Sequence, residues 1–504
     1  MEATFNFRVC IDNPERSSYC DPHHKEKVYF TVIAMSFRFQ AIFLLAILIT
    51  PNMGLPQDDL ISTRNSRLSD IESYETQIID LESAYGPMDN SLLEPLQGLI
   101  NKLVELGQID RVAEIQIRQL AIMRANLGFE SLDLLPVLRS MIQVQQALGN
   151  WEETSDTLDH IRFLIGANYG QNSEETLLAM ENQAQWKLAG FHLDSERNQS
   201  RNFLDARDLY TEIERLAEDV YGENSPKLYP WYYKRAYNLG LMVQLLNTED
   251  GFSRVFITDV IRSDGTMRLQ TDGRLTGTRL SPIGAWNIQD RNFVLGEGYL
   301  RQARDLINQI RKIAEIESDI EVQAIAEIYR GDYNLLMGRG SGKRQYNSAQ
   351  DMLLSAGITQ SDIDEYFRVP MPIPLPQFFE SFSELLSYQR SILTSVDANS
   401  GDELHLGIFS AWHENARAVL KPVSDDPLLQ VGLPQNLVDL KFNISTRGRV
   451  SSVDVMRSLP EDERVSREGS RAIREVRFRP AYLEGKATRV RDAQIRYLFA
   501  QEMR

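Results

Sequence analysis

The four histidines that follow the first 34 residues, His160, His192, His405 and His413, lie far apart with no H-x-x-x-H or H-E-x-x-H spacing. No pair therefore sits one helical turn apart to share a metal ion. His413-Glu414 is only a dipeptide on an amphipathic stretch. Gly338-Arg339-Gly340-Ser341-Gly342-Lys343 has the glycines and lysine of a phosphate loop, but the G-x-x-x-x-G-K-[ST] spacing fails and Arg344 stands where Ser or Thr would meet a cation. It reads as a loop between helices. No G-x-S-x-G occurs, so a serine-hydrolase elbow has no support. Cys10 and Cys20 are the only cysteines and precede everything with a globular pattern, which leaves the body no thiol for catalysis, metal or disulfide. These side chains predict no catalytic residue, no metal site and no cofactor, and hence a protein that is not an enzyme and acts by binding. An enzyme with its groups in the 247–289 segment is the remaining alternative.

Two sets of residues suit binding. Tyr229, Trp231, Tyr232 and Tyr233 cluster around Pro230, with Tyr237 one turn on. Such rings either line a groove that holds a peptide, giving contact area at little entropic cost, or pack the next helix pair. The second set is basic. The formal charge of −17 speaks against nucleic acid as a partner, yet residues 437–504 carry 15 Lys or Arg against 10 Asp or Glu. A basic tail on an acidic body attracts an acidic partner segment or an anionic surface, or else is a solvated face rich in arginine.

The elements that would position these residues follow from periodicity. With 504 residues, 42% of them hydrophobic, the chain is long enough for two or three domains with real cores. Tyr85-Gly86, Leu127-Gly128 and Tyr169-Gly170 recur every 42 residues, and Tyr221-Gly222 follows after 52. Gly107 and Gly149 are also 42 apart, with Gly190 after 41. Each unit thus holds two helices, each ended by a glycine able to supply a left-handed cap. Leu93, Leu96, Ile100 and Leu103 form one apolar stripe, faced by Ala113, Ile117 and Leu120.

Helix pairs at this period, with turns at Gly107-Gln108-Ile109-Asp110 and Gly149-Asn150-Trp151-Glu152, resemble tetratricopeptide repeats in the 42-residue form of kinesin light chains. The resemblance implies an α-solenoid over 70–365 with a concave binding surface. The extra ten residues of the third unit, at 192–201, read as a longer loop. A glycine-rich insertion at 247–289, with a β-like run Val255-Phe256-Ile257, reads as a hairpin or loop between two helices of one unit. Helical spacing resumes over 292–316, 320–336 and 346–354. The alternating prolines of 369–376 mark the end of the solenoid, and 366–434 is a proline-containing linker with helices at 377–393 and 404–420.

From residue 437 the period changes to two. Val438, Leu440, Phe442 and Ile444 alternate with Asp439, Lys441 and Asn443; a second run passes through Val453 and Val455; a helical stretch covers 461–474; and a last strand runs through Ala493, Ile495, Tyr497 and Phe499. The β-β-α-β order, with GRV at 448–450, RFRPA at 477–481 and EGK at 484–486, resembles the C-terminal domain of TonB, the periplasmic energy transducer. The fold class expected is therefore α+β multidomain: a helical solenoid followed by a small TonB-like domain at 435–504. The resemblance implies protein or peptide partners in the cell envelope, an outer-membrane receptor among them, paired along the edge of the last strand, 488–499, with Arg489, Arg491, Gln494 and Arg496 flanking the added strand.

The apolar run 41–49 after Arg38 is too short to span a bilayer of about 30 Å and matches the apolar region of a secretory signal. Residues 35–56 then form a signal peptide or an anchor giving membrane association through 37–55, and residues 1–34 are an extension ahead of the true start. The expectation is a periplasmic interaction scaffold; the alternative is a TonB-like energy transducer for outer-membrane transport.

Overall fold

The computed structural model describes residues 57–193, 196–247, 267–269, 275–277, 297–338, 340, 342–394, 404–410, 435–483 and 485–500. Two compact units divide the chain, Met1–Arg64 and Asn65–Arg504. The segments 1–34 and 35–56, the run Val255-Phe256-Ile257, the residues after 410 in the expected 404–420 helix and the 422–434 linker lie outside the described residues.

Helices α1 (Gln57–Tyr85), α2 (Leu93–Glu105), α3 (Ile109–Leu127), α4 (Leu135–Leu148), α5 (Trp151–Tyr169), α6 (Glu174–Leu193), α7 (Glu196–Tyr221) and α8 (Tyr229–Asn247) follow one another, and from α2 onward each packs on the next. The 42-residue period is a cycle of capping. Gly149 ends α4 in the left-handed region at φ 74, ψ 20. Gly128 and Gly170 end α3 and α5 at φ 88, ψ 164 and φ 98, ψ 151, a region open in practice to glycine alone. After Gly86, Gly128 and Gly222 the chain enters a single 3-10 turn capped by Asp89 on the Ser91 N–H, Ser131 on the Asp133 N–H and Ser225 on the Lys227 N–H, and so starts the next helix, whereas after Gly170 α6 starts directly with Ser173 capping the Thr176 N–H.

The third unit departs from the expected loop. Residues 196–201 belong to α7, which is 26 residues long, so the added length extends the helices instead. Gly190 lies inside α6, not at its end: a Cβ there would stand 2.6 Å from the Asn202 amide nitrogen, so glycine permits the close approach of α6 and α7.

Helix α8 packs on α9 (Glu297–Ile316) across the insertion, within which β1 (Met267–Leu269) and β2 (Leu275–Gly277) form an antiparallel hairpin. Then come α10 (Ile320–Leu336), α11 (Lys343–Ser355) and α12 (Gln360–Arg368). The proline segment is a tie to the distant C-terminus and no mere terminator. Its residues Met371–Ile373 form strand β3, which pairs with β7 (Arg477–Arg479), and Met371, Ile373 and Leu375 are buried. Proline survives there because β3 belongs to a two-stranded ladder with an open side. Helix α13 (Phe382–Leu393) starts at the Ser381 cap, five residues later than the spacing predicts.

Residues 405–410, expected in a helix, form strand β4 (His405–Ser410). Gly407, at φ 81 and with the Ile392 carbonyl 2.1 Å from where a Cβ would stand, lets this strand lie closely against α13. The terminal sheet has the order β4, β10 (Val490–Ala500), β5 (Gln435–Ile444), β6 (Val450–Leu459), with β4 parallel to β10 and the other pairs antiparallel. Val438, Leu440, Phe442, Ile444, Ala493, Ile495 and Tyr497 are buried under α14 (Glu463–Glu475) and Phe478. Each such Val, Leu, Ile or Phe burial contributes roughly 1.5–3 kcal/mol. Val455, expected on that face, is 37% exposed because bulges interrupt the register of β6. The short hairpin of β8 (Ala481–Leu483) and β9 (Lys486–Thr488) completes the chain, and its Tyr482 enters the main helical core.

Candidate partner-binding surfaces

The aromatic cluster is not a groove. Tyr229, Trp231, Tyr232 and Tyr233 are 2%, 5%, 2% and 0% exposed and form part of the largest core. Tyr233 donates to the Leu375 carbonyl at 2.6 Å and meets Tyr329 edge-on at 4.6 Å, while Tyr232 donates to Glu218 at 2.8 Å. Burial, then Glu218, raises the Tyr232 pKa, so the hydroxyl stays a donor. Five consecutive aromatic or proline positions point around the whole helix, and α8 packs against α7, α9 and the β3 region, so the rings pack and do not line a surface.

An open cleft lies one helix pair earlier. Helices α4 and α6 form its walls and α5 its floor, enclosing about 390 Å³. Leu158, Ile161 and Ile165 rise from the floor, and Ile142 and Leu178 from the walls. At the bottom Trp186 stacks on Trp151 at 4.3 Å and donates its indole N–H to Ser155 at 2.9 Å, which fixes the ring. Leu178 and Tyr169 are 46% and 50% exposed at the mouth. Gln143, Gln146 and Asn182 stand beside them. Apolar walls with amides able to donate and accept suit a peptide segment with a bulky apolar side chain. The sequence carries a signal for this site in the doublet Leu177-Leu178: on one helix, only Leu177 can face the core, and Leu178 is left to solvent.

The polar cleft on the other side of this partition, about 360 Å³ between α5 and α7, is satisfied internally. Arg162 pairs with Glu212 at 3.1 Å, Lys187 with Asp205 at 3.8 Å, and Gln183 donates to Asp159 at 2.5 Å. Burial raises the Asp159 pKa.

Strand β10 is an interior strand, which corrects the expectation of an edge at 488–499: β4 covers the side left open by β5. Arg496 grips Asp439 of β5 with two hydrogen bonds of 2.8 and 3.0 Å. Gln494 sits opposite both Lys441 and His405. Arg489 and Arg491 are exposed at the start of the strand. Among the described residues only β5 pairs with β6, whose Val455, Met456 and Leu459 are 37%, 55% and 41% exposed. This is the open edge, though its bulges and the left-handed Ser452 (φ 52) limit how much regular pairing it can offer.

The GRV and RFRPA motifs meet in space. The Phe478 N–H donates to the Gly448 carbonyl at 2.9 Å, and a Cβ on Gly448 would lie 1.7 Å from the Phe478 carbonyl oxygen. Arg479 runs the other way, into the helices. It is 1% exposed and forms a bidentate pair with Asp332 of α10 at 2.9 and 2.5 Å; it also donates to the Tyr366 hydroxyl, and Tyr346 donates to Asp332 at 2.7 Å. Burial alone would lower the Arg479 pKa; Asp332, with the two tyrosines, outweighs it and raises the value. This junction ties sheet to helices and was not visible in the sequence.

His160 is a packing residue: its Nδ1 lies 2.9 Å from Arg124 and its ring stacks on Phe129 at 4.3 Å. His405 Nδ1 accepts from the Gly407 N–H at 2.9 Å. His192 has no described side chain and His413 lies outside the described residues. Gly338, Gly340 and Gly342, all at positive φ, lie in the loop between α10 and α11. Among the described residues no group of three His, Cys, Asp or Glu side chains is placed to hold a metal, and no helix is long and apolar enough to cross a membrane.

No protein-family profile matches the chain, and no curated protein matches it in sequence. Among solved structures, the crystal structure of BtubC (BKLC) from P. vanneervenii is similar at 13% identity and a TM-score of 0.26, covering 58% of this chain and 90% of that one.

Proposed function

We propose that the protein is a non-enzymatic interaction scaffold of the cell envelope, whose helix-pair region holds a short apolar segment of a partner protein. The observation that carries this reading is the cleft of about 390 Å³ between α4 and α6, apolar within and lined also by the amides of Gln143, Gln146 and Asn182 and by Arg139 and Glu175. Its volume falls in the range of sites that enclose a few side chains. The terminal sheet serves as a second contact, by way of β6 and not β10. A periplasmic location and coupling to outer-membrane transport rest on the TonB resemblance of the last strands and helix, and plain binding needs fewer parts than energy transduction.

A partner captured from envelope extract by the full chain tests the reading. Leu178→Asp places a charge in the cleft mouth, while Leu354→Asp, at a 44% exposed position on α11, serves as the control. The cleft reading requires loss of the partner with the first variant and retention with the second. Retention by both, or loss by both, contradicts it.

A further inference from the structure

Two basic side chains of the sheet have acidic partners. Arg496 is paired with Asp439, and Lys441 with Asp492 at 3.8 Å. Arg449 and Arg477 instead face each other across an antiparallel bridge. Residues opposed in this way point to the same face, with Cβ atoms about 5 Å apart, and like charges so placed are destabilising. Arg477 is half-buried, and among the described residues its guanidinium donates only to the Arg447 carbonyl, at 3.5 Å. Burial, then Arg449, pushes its pKa down to about 10.

Three more arginines stand at the same end. Arg447 lies in the β5–β6 turn, and Arg489 and Arg491 flank Val490, the partner of Ile444 at the end of β5. Among the described residues no carboxylate lies within ion-pair distance of any of the five. The turn that carries Arg447 and Arg449 is rigid. Ser445 and Arg449 exchange hydrogen bonds of 2.9 and 3.0 Å, the Gly448 N–H donates to the Ser445 carbonyl at 2.8 Å, and Phe478 fastens Gly448 to β7. A repulsive pair held by a rigid frame is a cost that an occupant of opposite charge removes.

We infer that this end of the sheet binds a phosphate group, clasped between Arg449 and Arg477 with Arg447, Arg489 and Arg491 around it. Paired guanidinium forks match the oxygens of a phosphate, and their density in one spot suits a compact dianion better than the spaced carboxylates of an acidic peptide. The phosphate belongs either to a soluble species or to a lipid headgroup.

Thermal unfolding of the full chain in inorganic phosphate, against chloride at equal ionic strength, tests the soluble source; co-sedimentation with phosphatidylglycerol vesicles, against phosphatidylcholine vesicles, tests the lipid source. Phosphate should raise Tm by about 2–4 °C near saturation. Arg449→Gln and Arg477→Gln should each abolish the response while leaving the phosphate-free Tm unchanged or higher, because the repulsion is gone. The exposed pair Arg447→Gln/Arg491→Gln should weaken the response without touching the core. Arg464→Gln/Arg467→Gln on α14, where glutamates are interspersed, should leave it intact. A vesicle response without one to free phosphate supports the site and assigns it to a headgroup. The inference is overturned if neither probe binds, if Arg449→Gln responds as the unaltered chain does, or if oligoglutamate alone binds through these arginines.

Discussion

The capped helix pairs up to Gly222 and the junction of α10, α12 and β7 hold together in opposite ways. In the first, polar contacts reach the neighbouring unit: Arg111 to Glu75, Arg118 to Glu82, Asn126 to the Met88 carbonyl at 2.8 Å and Asn168 to the Glu130 carbonyl at 2.8 Å, spans of 36 to 38 residues. In the second, Tyr333 reaches Ala236 across 97 residues, Tyr233 reaches Leu375 across 142, and Arg479 reaches Asp332 across 147. Neighbour contacts tolerate single losses because each unit has its own caps and stripe. The junction concentrates a buried charge, and charge in an apolar interior depends on its partner.

That contrast is sharpest for Asp332→Ala, which leaves Arg479 buried without a counter-charge and should cost about 3–5 kcal/mol. Urea unfolding checks it, and replacing both partners together, Asp332→Leu with Arg479→Met, should recover most of the loss. A cost for the single variant no larger than that of a surface pair would erase the distinction. Next comes Gly448→Ala, where positive φ and the Phe478 carbonyl combine to cost about 2–4 kcal/mol. Gly128→Ala, with equal need for positive φ but open space around it, should cost less, about 1–3 kcal/mol.

Smaller effects belong to the repeats. Asn168→Ala removes a hydrogen bond between units, and a calorimetric loss of about 1 kcal/mol is expected. Arg111→Ala breaks an ion pair with Glu75 whose side chains are 44% and 42% exposed, and should change stability by less than about 0.5 kcal/mol. His160 adds a pH signature. Burial, with Arg124 adding to it, holds its pKa below the ordinary value, so the unfolded chain binds a proton first as pH falls through about 6.5. Stability present above that pH is lost toward the lowered folded value. Denaturation midpoints of His160→Asn should therefore fall less between pH 7 and acid than those of the unaltered chain; parallel curves would show that His160 is not the source.

What the sequence made legible follows the same division. Local signals survive reading: Gly86, Gly128 and Gly170 mark a period because each helix end is decided within a few residues, and Val438, Leu440, Phe442 and Ile444 show their buried face by alternation alone. Long-range pairings leave no such trace. Arg479 looks like any arginine of a basic tail until Asp332 is found beside it. The strand at His405 hides because six residues with a central glycine show neither period clearly. Tyr229 to Tyr233 left two readings open, groove or packing, because composition shows that rings are present but not which side of the helix is free, and burial decides for packing. For the cleft, Leu178 was legible as a second leucine beside one already committed to the core, whereas Trp186 and the floor residues are indistinguishable from packing.

The central claim, that the terminal sheet and the helices from α10 onward form one body, is tested most directly by amide hydrogen exchange on Asp332→Ala. The account predicts that protection falls together in α10, α12, β5, β7 and β10. Undiminished protection of β5 and β10 while α10 alone loosens would contradict it.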